Sequence, residues 1–308
     1  MSVAETFGRT VQLFLVDGKP TGLRKVTIHG WTGVTLVSSQ STFAELLNRP
    51  ECNRTGVYFL VGPDPERRDT LRVYIGAATT VKKRVKESAE EREFWETAIA
   101  ITTSDDDLSK GHAEYLEARL IELTKAAARV TMENDQYPKA SNKRLPEADA
   151  ANMEQFLLNI RVVLPVVGLD ILKPQPRAVR QDMVPPQERT EGEVQFELRH
   201  KSGVQATAVE EDGEFVVLEG SEALTDTGYV SLSYAGLKKD LIQSGVLVTD
   251  AVGKLRFSKP WSFKSPSAAS AIILDRNSNG RTEWKLKNSK LTYNDWQEAQ
   301  ATILEPAE

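Results

Sequence analysis

Apolar and polar positions alternate with the two-residue period of strands over residues 10–17 (TVQLFLVD) and 23–29 (LRKVTIH), and the Gly-Lys-Pro-Thr-Gly between them predicts a hairpin. A short strand at 33–37 follows, then a helix from Thr42 to Leu47 with Ser41 as its candidate N-cap. GVYFLVG (56–62) and LRVYIGAA (71–78) read as two strands joined by the polar PDPERRDT. In the first, Val57, Phe59 and Val61 alternate with Tyr58 and Leu60, so both faces carry large side chains and the strand belongs in the middle of a sheet.

The period then changes to that of helices, at 80–90, 112–128 and 147–163. Ala113, Leu116, Leu120, Leu123 and Ala127 form one core-facing stripe. Around 173–192 (KPQPRAVRQDMVPPQERTEG) proline and charge replace any period, which predicts a linker. Beyond it, VQFELRH, VQATAVEE and EFVVLEG predict three strands with turns at 201–203 and 212–213. A helix near 236–243, a strand pair within 246–257, a helix opened by Ser265-Pro266-Ser267 and a last strand, TEWKL, complete the pattern. No internal repeat is present.

Length and composition narrow the class. The chain has 308 residues, 40% hydrophobic and 27% charged, which suits two globular domains. A single cysteine, Cys52, excludes an internal disulfide and a cysteine-based zinc site, and His29, His112 and His200 lack ligand spacing. No apolar run approaches a membrane span, and MSVAETFGRT lacks the pattern of a signal peptide, so the expectation is a cytoplasmic protein without a membrane partner. Net charge is −5, yet Leu237 to Leu291 holds eleven basic residues against four acids, an excess of seven positive charges in an otherwise acidic chain. Such a segment marks a candidate polyanion-binding face.

The candidate chemistry lies between Gly56 and Asn134. Gly56-Val57-Tyr58 stands on one strand, Tyr74-Ile75-Gly76 on the next, Arg84 on the following helix and Glu117 on a further helix. This ordered set resembles the GIY-YIG nuclease family over residues 51–172, with GVY as a mild variant of the first motif. The resemblance implies a small mixed antiparallel sheet backed by helices and a metal-dependent endonuclease using Mg²⁺ or Mn²⁺. It also implies a supporting role for Asn134, and it departs from many relatives in having Ser88 where they carry a histidine.

The residues suit phosphodiester hydrolysis in their own right. Tyr58 is the candidate base for the attacking water, provided the site lowers its pKa, and Tyr74 orients that water. Arg84 offers a planar fork to the phosphate. Glu117 is the candidate metal ligand, and Mg²⁺ takes as few as one protein carboxylate. On its helix Glu117 borders the apolar stripe, whereas Glu114 has Lys110 within one turn and Glu122 has Arg119 and Lys125, the pattern of surface ion pairs.

FVVLEGSEA (215–223) and FKSPSAASAIILDRNSNGRTEWK (263–285) resemble a poorly characterised domain appended to such nucleases, and distantly one found beside restriction and adenine-methylation enzymes. That implies DNA association, with Lys238, Lys239, Lys264, Arg276, Arg281 and Lys285 as candidate phosphate contacts. Trp261, Phe263 and Trp284 are candidates for base stacking, though aromatics in a small domain belong more often to the core. The expected organisation is a hairpin extension at 1–50, a nuclease domain at 51–172, a linker at 173–191 and an α+β DNA-associating domain at 192–300. The expected function is DNA cleavage, by analogy in restriction or antiviral defence. The alternatives are a noncatalytic nucleic-acid-binding protein that keeps the fold, and a nuclease acting on RNA.

Overall fold

The computed structural model describes residues 8–134, 145–175, 194–211, 213–225, 232–250 and 253–303. The linker, from residue 176, and Asp212 of the expected 212–213 turn lie outside them. The architecture is mixed α+β, in two compact units, Met1–Pro174 and Gln175–Glu308. Among the described residues no helix is long and apolar enough to cross a membrane.

The first unit contains β1 (Val11–Leu15), β2 (Arg24–Ile28), β3 (Gly33–Ser39), α1 (Phe43–Leu47), β4 (Gly56–Asp64), β5 (Arg67–Ala78), α2 (Val81–Glu90), β6 (Thr97–Thr103), α3 (Lys110–Ala127), β7 (Thr131–Met132) and α4 (Glu147–Val166). The strands form one sheet in the order β1-β2-β3-β6-β4-β5-β7, antiparallel throughout except for the parallel pair β5 and β7. The hairpin of β1 and β2 is continuous with this sheet through β3, which pairs with β6.

The alternation along β4 decides the layering. Val57, Phe59 and Val61 pack with Leu116, Leu120 and Ile121 of α3 and with α4, whereas Tyr58 and Leu60 pack with Leu46 of α1 and Val81, Val85 and Ala89 of α2. Helices thus cover both faces, and β4 is interior, as its two-sided bulk requires. The start of α3 is fixed by Ser109, whose Oγ accepts from the His112 N–H at 3.2 Å while its own N–H donates to His112 Nδ1 at 3.2 Å. Ser41 does not cap α1: it lies within a 3₁₀ turn, and Thr42 is the boundary residue.

In the second unit β8 (Gln195–Arg199), β9 (Gln205–Glu211), β10 (Glu214–Val217), β11 (Glu222–Ala223), α5 (Leu232–Gln243), β12 (Leu247–Thr249), β13 (Leu255–Phe257), β14 (Trp261–Phe263), α6 (Pro266–Leu274), α7 (Gly280–Glu283), β15 (Lys285–Leu286) and α8 (Tyr293–Ile303) follow in turn. They build an antiparallel sheet ordered β14-β10-β9-β8-β15 and a three-stranded one ordered β11-β13-β12. The Ser265 side chain accepts from the Ala268 N–H at 3.2 Å and starts α6, as its sequence predicts. The expected strand TEWKL is shorter: Asn279 caps a helical turn over Gly280–Glu283, and only Lys285 and Leu286 pair, with β8.

Candidate functional site

The site is built on the last residues of β5. Tyr58 and Gly76 are cross-strand partners, and a Cβ at Gly76 would lie 2.4 Å from both Cζ and Oη of Tyr58. The phenol therefore occupies the volume that a side chain at position 76 would need, and this is the physical reason for glycine there. Tyr58 is fully buried, and its hydroxyl shares a 2.8 Å hydrogen bond with the equally buried Ser88 of α2. Burial drives the phenol well above its ordinary pKa, while the Ser88 hydrogen bond and the charge of Arg84 act in the opposite direction.

Two further candidates hold the neighbouring positions. The Asn134 side chain accepts from the Ile75 N–H at 3.0 Å and donates to the Ile75 carbonyl at 2.8 Å, prolonging the pairing that β7 begins at Arg72 and Val73. Beyond it the edge of β5 turns to Glu117, whose Oε1 accepts from the Ala77 N–H at 3.1 Å. Asn134, Tyr58 and Glu117 thus meet three successive residues, Ile75, Gly76 and Ala77. Each satisfies backbone or fills space at the sheet edge, which fixes the carboxylate and the phenol relative to one another.

Tyr74 is half-buried, its ring centroid 6.2 Å from that of Tyr58, and the Arg92 guanidinium lies 3.7 Å from its centre. Arg92 also donates to the Ser88 carbonyl at 3.0 Å, so one side chain braces both tyrosine environments. Arg84 sits on the first turn of α2, half-exposed, with Nη1 3.1 Å from Oε2 of Glu87. It lines a cleft of about 370 Å³ between α2 and α3 whose floor includes Ala77 and Ala78, and Lys83, Lys110 and Glu114 line it too.

Several of these residues carry no clear signal in the sequence. Ser88 stands out there only as a departure from the family pattern, and its bond to Tyr58 gives it a definite place. The spacing of Lys110 and Glu114 predicts a surface pair. They do pair, at 3.7 Å, but on the wall of the cleft. Their position at the start of the helix carrying Glu117 is the signal that points there.

The basic residues of the second unit divide. Lys238 is buried and donates to Asp275 and to the Leu224 carbonyl, so it anchors α5 inside the domain and does not present its charge to a phosphate. Arg276 binds Glu283 at 2.6 Å and keeps a side chain 39% exposed. Lys239, Lys264, Arg281 and Lys285 are exposed. Trp261, Phe263 and Trp284 are core: Trp284 packs edge-on against Phe215 and donates its indole N–H to the Pro266 carbonyl at 3.1 Å, which removes them as stacking platforms.

Residues 196–297 match a family described as a domain of unknown function, DUF4357. That stretch contains the second unit's basic segment. No curated protein and no solved structure matches this chain.

Proposed function

We propose that this protein is a metal-dependent endonuclease that hydrolyses DNA phosphodiester bonds, with a GIY-YIG-type catalytic domain over residues 51–172 and a C-terminal domain that associates with DNA. The observation that carries this reading is the convergence at the end of β5. Residues spread in sequence from 58 to 134, each of a type that phosphodiester hydrolysis needs, meet at Ile75, Gly76 and Ala77 beside a cleft lined by Arg84.

In this reading Arg84 grips the scissile phosphate and Tyr74 orients the attacking water. Tyr58, buried and protonated at rest, takes that water's proton only as the phenolate, after its own proton has left and the ring has opened to the cleft. Glu117 would hold the cation. A half-buried carboxylate bonded to Ala77, which lines the cleft, fits Mg²⁺ or Mn²⁺, which keep several waters and take as few as one protein carboxylate. When bound, such a cation neutralises charge on the phosphate oxygens and acidifies its waters. Hydrogen bonds to Ala77 and Ile75 keep Glu117 and Asn134 in register with the tyrosines.

One observation favours a noncatalytic nucleic-acid-binding protein on the same fold: Tyr58 is fully buried and held protonated. A substrate panel separates the readings. Single- and double-stranded DNA and RNA are incubated with the protein and Mg²⁺, with and without EDTA. EDTA-sensitive cleavage of DNA supports the proposal, cleavage of RNA alone redirects it, and retention without cleavage supports the binding protein.

A further inference from the structure

Three cations, Lys83, Arg84 and Lys110, and two carboxylates, Glu87 and Glu114, line the cleft at the end of β5. Lys83 and Arg84 stand on the first turn of α2, and Lys110 opens α3 on the facing wall. Neither helix has an acid in its first turn. Carboxylates are the side chains that stabilise a helix start, and cations there oppose the helix dipole. The arrangement therefore costs stability, a cost that an anion bound between the walls would offset.

Arg84 is accounted for by the scissile phosphate. The two lysines are not. Lys83 makes no ion pair among the described residues, and Lys110, 74% exposed, meets Glu114 only at 3.7 Å. An exposed pair spaced four residues apart holds only weakly, so Lys110 exchanges Glu114 for a stronger anion at little cost. A strand bound through one phosphate also brings its neighbours, each with its own charge.

We propose that Lys83 and Lys110 form a second phosphate position in this cleft, holding the phosphate adjacent to the one at Arg84. The inference rests on the nuclease reading of Arg84 and deepens it: the ligand is a nucleic-acid strand engaged by consecutive backbone charges, not a mononucleotide. Lysine suits this task, because its ammonium is a point charge on a flexible stem that accepts a phosphate in many orientations, whereas the planar fork of Arg84 demands one. The lysines set the register of the strand, and Arg84 meets the phosphate that register delivers.

The test uses the full chain, and Lys83→Ala, Lys110→Ala and the double variant. Binding of a fluorescent single-stranded DNA oligonucleotide is followed in EDTA at several salt concentrations. The slope of log affinity against log salt is expected to flatten by about 0.7 for each lysine removed. In Mg²⁺ the loss of cleavage falls on KM more than on kcat. A double variant whose salt slope equals that of wild type overturns the second position. If wild type cuts nothing yet the slope still flattens, the phosphate position stands and the catalytic reading falls. If wild type cuts and the slope does not move, the reverse holds.

Discussion

Tyr58 and Gly76 face each other across β4 and β5 with the phenol occupying the volume of the missing side chain, 2.4 Å from where a Cβ would sit. Because Tyr58 is buried and tied to Ser88, the ring has nowhere to retreat. Gly76→Ala is expected to destabilise the protein by about 1–3 kcal/mol, as overpacking does. Removing the ring, with Tyr58→Ala, recovers part of that loss in the Gly76→Ala background. Denaturant titration of the four combinations measures the coupling, and strictly additive losses would contradict the steric account.

Tyr58→Phe keeps the packed ring and removes only the hydroxyl and its bond to Ser88. The folding cost is expected near 1 kcal/mol, about that of one hydrogen bond, while single-turnover cleavage falls by about 10²-fold or more. Rates equal to wild type would make Tyr58 a structural residue.

Acid sensitivity is expected from Glu51, in the 3₁₀ turn before β4. It is nearly fully buried, with Lys25 Nζ at 3.0 Å and Arg49 Nη2 at 2.9 Å. Burial is the largest single influence and pushes its pKa up. The hydrogen bonds from Arg49, its own backbone and Lys25 outweigh it and hold the carboxyl at about 2, below its ordinary 4.5. A lowered folded pKa means the contribution is whole above about pH 4.5 and is lost as pH falls toward about 2. Glu51→Gln should therefore flatten the dependence of stability on pH between about pH 5 and pH 2, read by urea denaturation across that window. An unchanged pH profile would contradict this assignment.

Lys238 and its exposed neighbours should separate cleanly. Lys238→Met leaves Asp275 buried without its ammonium and is expected to cost about 3–5 kcal/mol, with no change in the salt slope of duplex DNA binding. Lys239, Lys264 and Lys285 are exposed, and replacing all three by alanine should leave stability intact and flatten that slope by about 0.9 for each phosphate no longer neutralised. Equal slopes for the triple variant and wild type would remove these lysines from DNA binding.

The parts of the fold legible in the sequence are those with a single clear period. The alternation in β4 and the stripe on α3 mark their elements, and the neighbours of Glu117 place it at the edge of the stripe. The central strand β6 escapes such reading because Ala98, Ile99, Ala100 and Ile101 are all apolar and alternate in size alone, so no polar face marks the period. Those alanines lie opposite Leu60 and Tyr58, and their smallness makes room for the larger partners. β7 is two residues long, and its pairing with β5 is created by tertiary packing alone. In the site, the identities of Tyr58, Tyr74, Arg84, Glu117 and Asn134 are readable, but not what each touches. The meeting of Ser88 with Tyr58 and of Arg92 with Tyr74 depends on where the end of α2 lies over the sheet. No local pattern encodes that, and the burial of Lys238 is hidden in the same way, within a run of charges.

The most direct test of the central claim is the rate of Mg²⁺-dependent DNA cleavage by Glu117→Gln against wild type, with DNA affinity measured alongside in EDTA. Glutamine keeps an oxygen that accepts from the Ala77 N–H and loses the charge that would hold the cation. The account predicts EDTA-sensitive cleavage by wild type, none by the variant, and nearly equal affinity. Cleavage by Glu117→Gln at the wild-type rate in millimolar Mg²⁺ would contradict it.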